Sequence, residues 1–204
     1  MRGYSHLIIG GALGAVIATH TGSEPLGIAA GAIGALVPDI DHPDSLMGRW
    51  FFFWPAVRGP KLANGFQRTG RVGIPKTIWH RGQLHSVGFA VLSTVAMALL
   101  YRLAGNFAIV PGLLQIGLLP LVAVCFGVGV LSHLAADCVN VSPMMLFWPF
   151  SHKMVTAPIP HASQRSAMGH IYELLVVVAV VGVAYLLAGG SLQAFQSPAT
   201  IFPW

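Results

Sequence analysis

Three carboxylates and one imidazole lie close together where the second apolar run of the chain ends: Asp39, Asp41, His42 and Asp44. Carboxylate and imidazole ligands together suit zinc, manganese or non-haem iron. An extended segment here would direct Asp39 and Asp41 to the same side, since their positions alternate. Asp44 is interpreted as a turn residue. The segment therefore predicts one wall of a metal site.

A later apolar run carries a second polar stripe. His133 and Asp137 are spaced i,i+4, with Asn140 at i+7, so a helix displays all three on one side. Polar groups in a membrane-spanning helix cost free energy unless they are paired or ligated. The spacing favours metal or substrate binding.

Two further imidazoles, His80 and His85, flank Arg81 before the third apolar run, and His6 opens the first run. We expect His80 in a loop and His85 near a first helical turn, while Arg81 could form a forked bond to a phosphate or carboxylate. The candidate ligands exceed the needs of one four-coordinate ion, which predicts one or two divalent ions, with zinc or manganese favoured. The predicted metal ligands are His6, Asp39, Asp41, His42, His80, His85, His133 and Asp137, and the predicted substrate-binding residues are Arg81 and Asn140.

His170 and Glu173, spaced i,i+3 at the start of the last apolar run, are possible catalytic residues. An acid at a helix N-terminus is also favourable without any catalytic role. The other histidines, His20, His152 and His161, are interpreted as hydrogen-bonded aromatic side chains near an interface.

The composition indicates an integral membrane protein. The 204 residues are 55% hydrophobic and 8% charged, against about 25% charged in soluble domains. Cys125 and Cys138 fall in or at the end of one apolar run and are interpreted as buried hydrophobic side chains, not as a disulfide. We expect residues 1–204 to form one integral-membrane domain.

The apolar runs predict an all-α polytopic transmembrane bundle with about five spans, at residues 5–20, 25–36, 86–103, 118–137 and 171–187. The first two runs are shorter than the roughly 20 residues of a full span and carry GxxxG spacings that favour close helix packing. Pro38 should end the second helix at Val37. Residues 43–85 mix basic and aromatic side chains, which favours an interfacial loop touching lipid headgroups over nucleic-acid binding. Residues 190–204 are a tail.

Five spans place every ligand candidate, and all Lys and Arg residues except Arg102, on the side of the N-terminus. Among the histidines only His20 falls on the other side. Positive residues favour the cytoplasm, so the N-terminus and the polar site are predicted to be cytoplasmic and the protein to be multi-pass in a bacterial inner membrane.

At these same residues the chain resembles the YdjM-like family of membrane-bound metal-dependent hydrolases. The resemblance covers residues 1–155 and implies an inner-membrane hydrolase. It rests on four segments: a His-x3-Gly at residues 6–10, LVPDIDHP at 36–43 with Ser45 following, HRGQLHS at 80–86, and HLAADCVN at 133–140 running into LFWPFS at 146–151.

The leading hypothesis is a metal-dependent hydrolase that uses metal-activated water on a phosphoester of a membrane lipid. The lipid substrate is suggested by the predicted position of the site, because a site at the membrane surface among basic and aromatic residues meets lipid headgroups first. Two alternatives use the same cluster without hydrolysis: a metal transporter or sensor, and a non-catalytic membrane partner protein.

Overall fold

The computed structural model describes residues 3–40, 45–47, 81–106, 118–138, 143–155 and 167–189. Within these ranges the chain is helical and no β-strand occurs, which confirms the predicted all-α class. Most of the predicted interfacial loop, and the tail, lie outside the described residues. The helices are α1 (Gly3–Ala18), α2 (Glu24–Leu36), α3 (Val87–Asn106), α4 (Leu119–Cys138) and α5 (Ala167–Leu187).

Three helices are long and apolar enough to cross a membrane: Val87–Ala104 in α3, Leu119–Cys138 in α4 and Gly169–Leu187 in α5. Their outward side chains are aliphatic, as lipid contact requires; Leu100 and Leu175, for example, are about three-fifths exposed. The first two helices have 16 and 13 residues, so both fall short of the roughly 20 residues of a full span, as predicted. The number of passes and their sidedness stay predictions.

Glycines bring α1 and α2 into backbone contact. A Cβ on Gly10 would collide with the carbonyl oxygen of Gly31, and one on Gly14 would collide with that of Gly27. The GxxxG spacings therefore act in helix packing, as predicted. Gly22, at φ +63°, turns the chain between the two helices in the left-handed conformation that glycine adopts without steric cost.

The third member of this core is α4. Its Gly129 lies against the backbone of Gly31, and Gly34 of α2 lies against the backbone of Phe126. Cys125 is buried, with its Sγ 3.7 Å from the carbonyl oxygen of Gly14. Cys125 is buried as predicted, whereas Cys138 is only partly buried, and both are free thiols. The remaining two helices lie outside this core, α3 against α4 and α5 against α1.

The chain after α2 differs from the extended segment predicted there. The α-helix ends at Leu36, but Val37–Asp39 continues as a 3₁₀ turn, closed by a hydrogen bond from the Ile40 N–H to the Val37 carbonyl (3.1 Å). Pro38 fits this turn because the residue at the start of a helical turn needs no N–H partner. Asp39 is therefore aimed by a helical turn and not by strand-like alternation.

Candidate metal centre

His133 is the centre of a buried cluster at one end of the helix core. Its side chain is fully buried in α4, and Nδ1 lies 2.7 Å from the carbonyl oxygen of Ala35. A carbonyl can only accept, so Nδ1–H donates and Nε2 of the neutral ring keeps its lone pair. Ala35 is in the last turn of α2, where carbonyls lack helical partners. This bond fixes the ring and its tautomer, as backbone carbonyls do for metal-binding histidines.

Asp137, one helical turn further along α4, joins three neighbours. Its Oδ2 lies 3.9 Å from His133 Nε2 and 2.9 Å from Arg81 Nη2. Its Oδ1 lies 3.5 Å from Nε2 of His6, which comes from α1. The i,i+4 spacing seen in the sequence thus places an imidazole and a carboxylate on one stripe, and that stripe faces the protein interior.

Asp39 and His85 close the other side of the cluster. Asp39 Oδ1 is 3.4 Å from His85 Nε2 and 3.7 Å from His133 Nε2. The two imidazole Nε2 atoms are 3.2 Å apart, and His85 Nε2 is 3.7 Å from Asp137 Oδ2. Burial alone would raise the pKa of the Asp39 carboxyl, but the hydrogen bond from His85 and the nearby imidazoles of His133 and His6 hold that pKa well below its usual range. Asp39 is therefore a carboxylate.

These distances fit a bound divalent ion. Tetrahedral zinc with ligand distances of about 2.0–2.1 Å places its ligand atoms about 3.3 Å apart. The three atoms from His85, His133 and Asp39 are separated by 3.2, 3.4 and 3.7 Å, and Asp137 Oδ2 is 3.7 and 3.9 Å from the two imidazoles. Three donor atoms, from Asp39, His85 and His133, therefore lie at the mutual spacing expected of ligands on one ion, and a carboxylate oxygen of Asp137 lies near both imidazoles.

His6 supports the same conclusion independently. Its ring is 1% exposed, Nε2 lies 3.5 Å from Asp137 Oδ1, and among the described residues Nδ1 has no hydrogen-bond partner. The ring stacks on His133 with centroids 3.9 Å apart. A buried imidazole nitrogen without a hydrogen bond costs free energy of folding. A cation held by these side chains would offset that cost, either as a direct ligand partner of His6 or as a partner of the Asp137 carboxylate beside it.

The described residues offer ligands for one metal ion and not for two. The ligand atoms fall into two triads, His6–His133–Asp137 and Asp39–His85–His133. Both triads use His133, whose Nδ1 is committed to Ala35. The single lone pair on Nε2 binds one ion, so the two triads are alternatives or parts of one coordination sphere. The predicted ligands Asp41, His42 and His80, and the predicted substrate residue Asn140, lie outside the described residues.

The loop carrying Arg81 and His85 is shaped by local bonds. Arg81 has φ +70°, a backbone conformation that residues other than glycine rarely adopt and that is often found at functional sites. Its carbonyl accepts the N–H of Met145 at 3.0 Å. Ser86 accepts the N–H of Phe89 at 3.0 Å and so caps the N-terminus of α3. The Arg-Gly-x-x-His-Ser sequence thus supplies a buried cation, a ligand and a helix cap in order.

The two possible catalytic residues of α5 lie at a separate place. Glu173 is buried and accepts a hydrogen bond from Ser5 Oγ at 2.6 Å. His170 is exposed and lines, with Glu173 and Ser5, a cavity of ≈160 Å³. The Ser5–Glu173 bond was not anticipated, since 168 residues separate the partners. The available signal was that an acid in an apolar helix requires a partner.

The cluster therefore combines carboxylate and imidazole side chains with a guanidinium in a buried setting at the end of the bundle, a set of groups that could hold a divalent metal ion. The family model described as YdjM inner membrane protein matches residues 1–194. No curated protein and no solved structure matches the chain.

Proposed function

Because the chain belongs to the YdjM inner membrane protein family, we propose that it is a membrane-embedded metal-dependent hydrolase acting on a phosphoester of a membrane lipid. The observation that carries the proposal is the convergence of Asp39, His85 and His133, from three segments, at ligand-to-ligand spacing, with Asp137 beside the two imidazoles. A purely structural cluster would satisfy its polar atoms within the protein, whereas the buried Nδ1 of His6 has no hydrogen-bond partner in the described part of the chain.

The protein's contribution is to hold and orient the reacting groups. Asp39, His85, His133 and Asp137 would hold the ion, and the Ala35 carbonyl keeps the His133 lone pair directed at it. When bound, a divalent ion supplies activation of water and neutralisation of developing negative charge. A guanidinium carries N–H donors in a planar fork that matches the oxygens of a phosphate, so Arg81, which is paired with Asp137 at the cluster, would orient a phosphate there.

The proposed substrate class follows from the position of the cluster. His6 lies near the start of α1, Asp39 follows α2, His85 precedes α3 and Asp137 lies near the end of α4. All four are therefore at the same end of the helices, an end that in a bilayer would be close to the lipid headgroups. An anionic headgroup phosphate is the substrate group that a metal ion and a guanidinium would bind there.

Metal transport receives no comparable support. The two ligand groups that the described residues offer share His133 and lie at one end of the bundle. An ion crossing a membrane needs ligands along its path, and the described part of α3 and α5 provides no further ligand cluster at another depth.

The test combines metal content with hydrolysis by detergent-purified protein. We expect one equivalent of a transition metal by plasma mass spectrometry and metal-dependent release of phosphate or headgroup from phospholipids. His85→Ala and Asp39→Asn should lose both, while His152→Ala, which changes an exposed histidine, should keep both. Full hydrolysis by His85→Ala and Asp39→Asn would refute the proposal. So would metal binding without hydrolysis across phosphatidic acid, phosphatidylglycerol and lysophospholipids, supplied with zinc or manganese.

A further inference from the structure

An apolar groove of ≈440 Å³ runs along the outer surface between α3 and α4. Its walls are exposed aliphatic side chains, among them Val87, Val91 and Val95 of α3 and Val124 and Leu131 of α4. The three valines are spaced i,i+4,i+8 and therefore lie along one side of their helix. The groove is thus a continuous feature of two membrane-spanning candidates.

The floor of the groove consists of small side chains. Ala90 is buried, Thr94 and Gly127 are half-buried, and a Cβ on Gly127 would lie 2.9 Å from Thr94 Oγ1. The Thr94 hydroxyl donates to the Ala90 carbonyl at 2.7 Å, so it is already hydrogen-bonded. The groove therefore offers aliphatic contact without a demand for a polar partner.

One end of the groove lies at the level of the His/Asp cluster. Val87 is two residues beyond His85, and Leu131 is two residues before His133. From Val87 to Val95 a helix rises about 12 Å. That is close to the roughly 15 Å that one leaflet contributes to a 30 Å hydrocarbon core. The groove therefore extends from the headgroup level through most of one leaflet.

We propose that this groove holds one acyl chain of an anionic lipid whose phosphate lies at the cluster beside Arg81. The assignment of the phosphate rests on the proposed function, whereas the chain site rests on the groove itself. The groove is lined by two membrane-spanning candidates and ends near the cluster that contains Arg81, whose positive charge complements an anionic headgroup. Because lipid tails are as apolar as the groove, the groove contributes position and selectivity more than affinity.

The site can be tested by photolabelling of metal-free protein. The probe is phosphatidic acid with a diazirine in one acyl chain, diluted into phosphatidylcholine nanodiscs that contain the full chain and a chelator. Val91→Phe fills the groove, and Leu92→Phe is the matched control, since Leu92 is equally exposed (58% against 59%) but lies outside the groove. We expect labelling at residues 87–95 and 123–131 in the wild type and in Leu92→Phe, and its loss in Val91→Phe.

Three results would overturn the lipid site. The first is equal labelling of the groove and of the Leu99–Leu103 surface, and the second is undiminished labelling in Val91→Phe. The third is the appearance of crosslinks between two protein chains at the groove in place of lipid labelling. The readout involves neither metal nor hydrolysis, so the two proposals fail separately. Groove labelling in a protein that hydrolyses no phosphoester would overturn the proposed function and leave the lipid site standing. Hydrolysis with uniform labelling would overturn the lipid site alone.

Discussion

Gly129→Ala should disable the metal centre although Gly129 is not a ligand. A Cβ at this position would collide with the Gly31 carbonyl oxygen and would lie 2.9 Å from the Ala35 nitrogen. Carbon contacts are comfortable at about 3.5–4.0 Å, so relieving the collision with Gly31 requires α2 to move away from α4 by roughly 1–1.5 Å. Helix α2 carries the Ala35 carbonyl, which lies only 2.7 Å from His133 Nδ1.

The same displacement, added to the present 2.7 Å, would stretch the Ala35–His133 bond to roughly 3.7–4.2 Å, beyond the limit of a hydrogen bond. Overpacking costs about 1–3 kcal/mol of the free energy of unfolding. Loss of the bond that orients a metal-binding histidine costs about 10–100-fold in metal affinity. We therefore expect Gly129→Ala to be both less stable and a weaker metal binder than the wild type.

The assay is chelator competition for zinc, together with denaturant unfolding in detergent. Gly182→Ala is the matched control, because no atom lies within 4 Å of a Cβ at that position in α5. It should keep its metal affinity and gain about 0.5–1 kcal/mol, the usual advantage of alanine over glycine within a helix. If Gly129→Ala behaved like Gly182→Ala in both measurements, the argument that close backbone contact positions His133 would be refuted.

Three further predictions concern single contacts. Ser86→Ala removes the cap that accepts the Phe89 N–H and should lower the free energy of unfolding by about 1 kcal/mol; an unchanged denaturation curve would contradict the capping role. Glu173→Gln weakens the buried bond from Ser5 and should cost about 1–2 kcal/mol with metal content unchanged, so loss of the metal would show that Glu173 acts at the centre. Removal of metal by a chelator should lower the thermal unfolding temperature, by the equivalent of about 2.7 kcal/mol relative to protein at a hundredfold excess of metal over Kd; the same lowering in His133→Ala would place the metal elsewhere.

Much of the fold could be predicted because lipid leaves few options for the backbone. The apolar runs predicted the helix positions to within a few residues. Because successive spans alternate in direction, they also predicted that His6, Asp39, His85 and Asp137 lie at one end of the bundle. The i,i+4 spacing of His133 and Asp137 was sufficient to place both on one stripe, since helical periodicity alone decides it.

Contacts between helices could not be predicted in the same way. The bond from His133 to Ala35 depends on how closely α2 approaches α4, which Gly129, Gly31 and Gly34 set through backbone contacts that no local pattern encodes. The extended backbone predicted at Asp39 was wrong because the segment after α2 tightens into a 3₁₀ turn. A proline that disfavours the α-helix before it does not exclude such a turn.

X-ray absorption spectroscopy of the protein loaded with one equivalent of zinc would test the central claim most directly, namely that the His/Asp cluster holds a divalent ion. We expect only nitrogen and oxygen neighbours at about 2.0–2.1 Å, with the multiple-scattering signature of at least two imidazoles. In His85→Ala that imidazole signature should decrease. Sulfur scattering at about 2.3 Å, which would come from Cys138 next to Asp137 or from Cys125, would contradict the account, and so would a spectrum unchanged in His85→Ala.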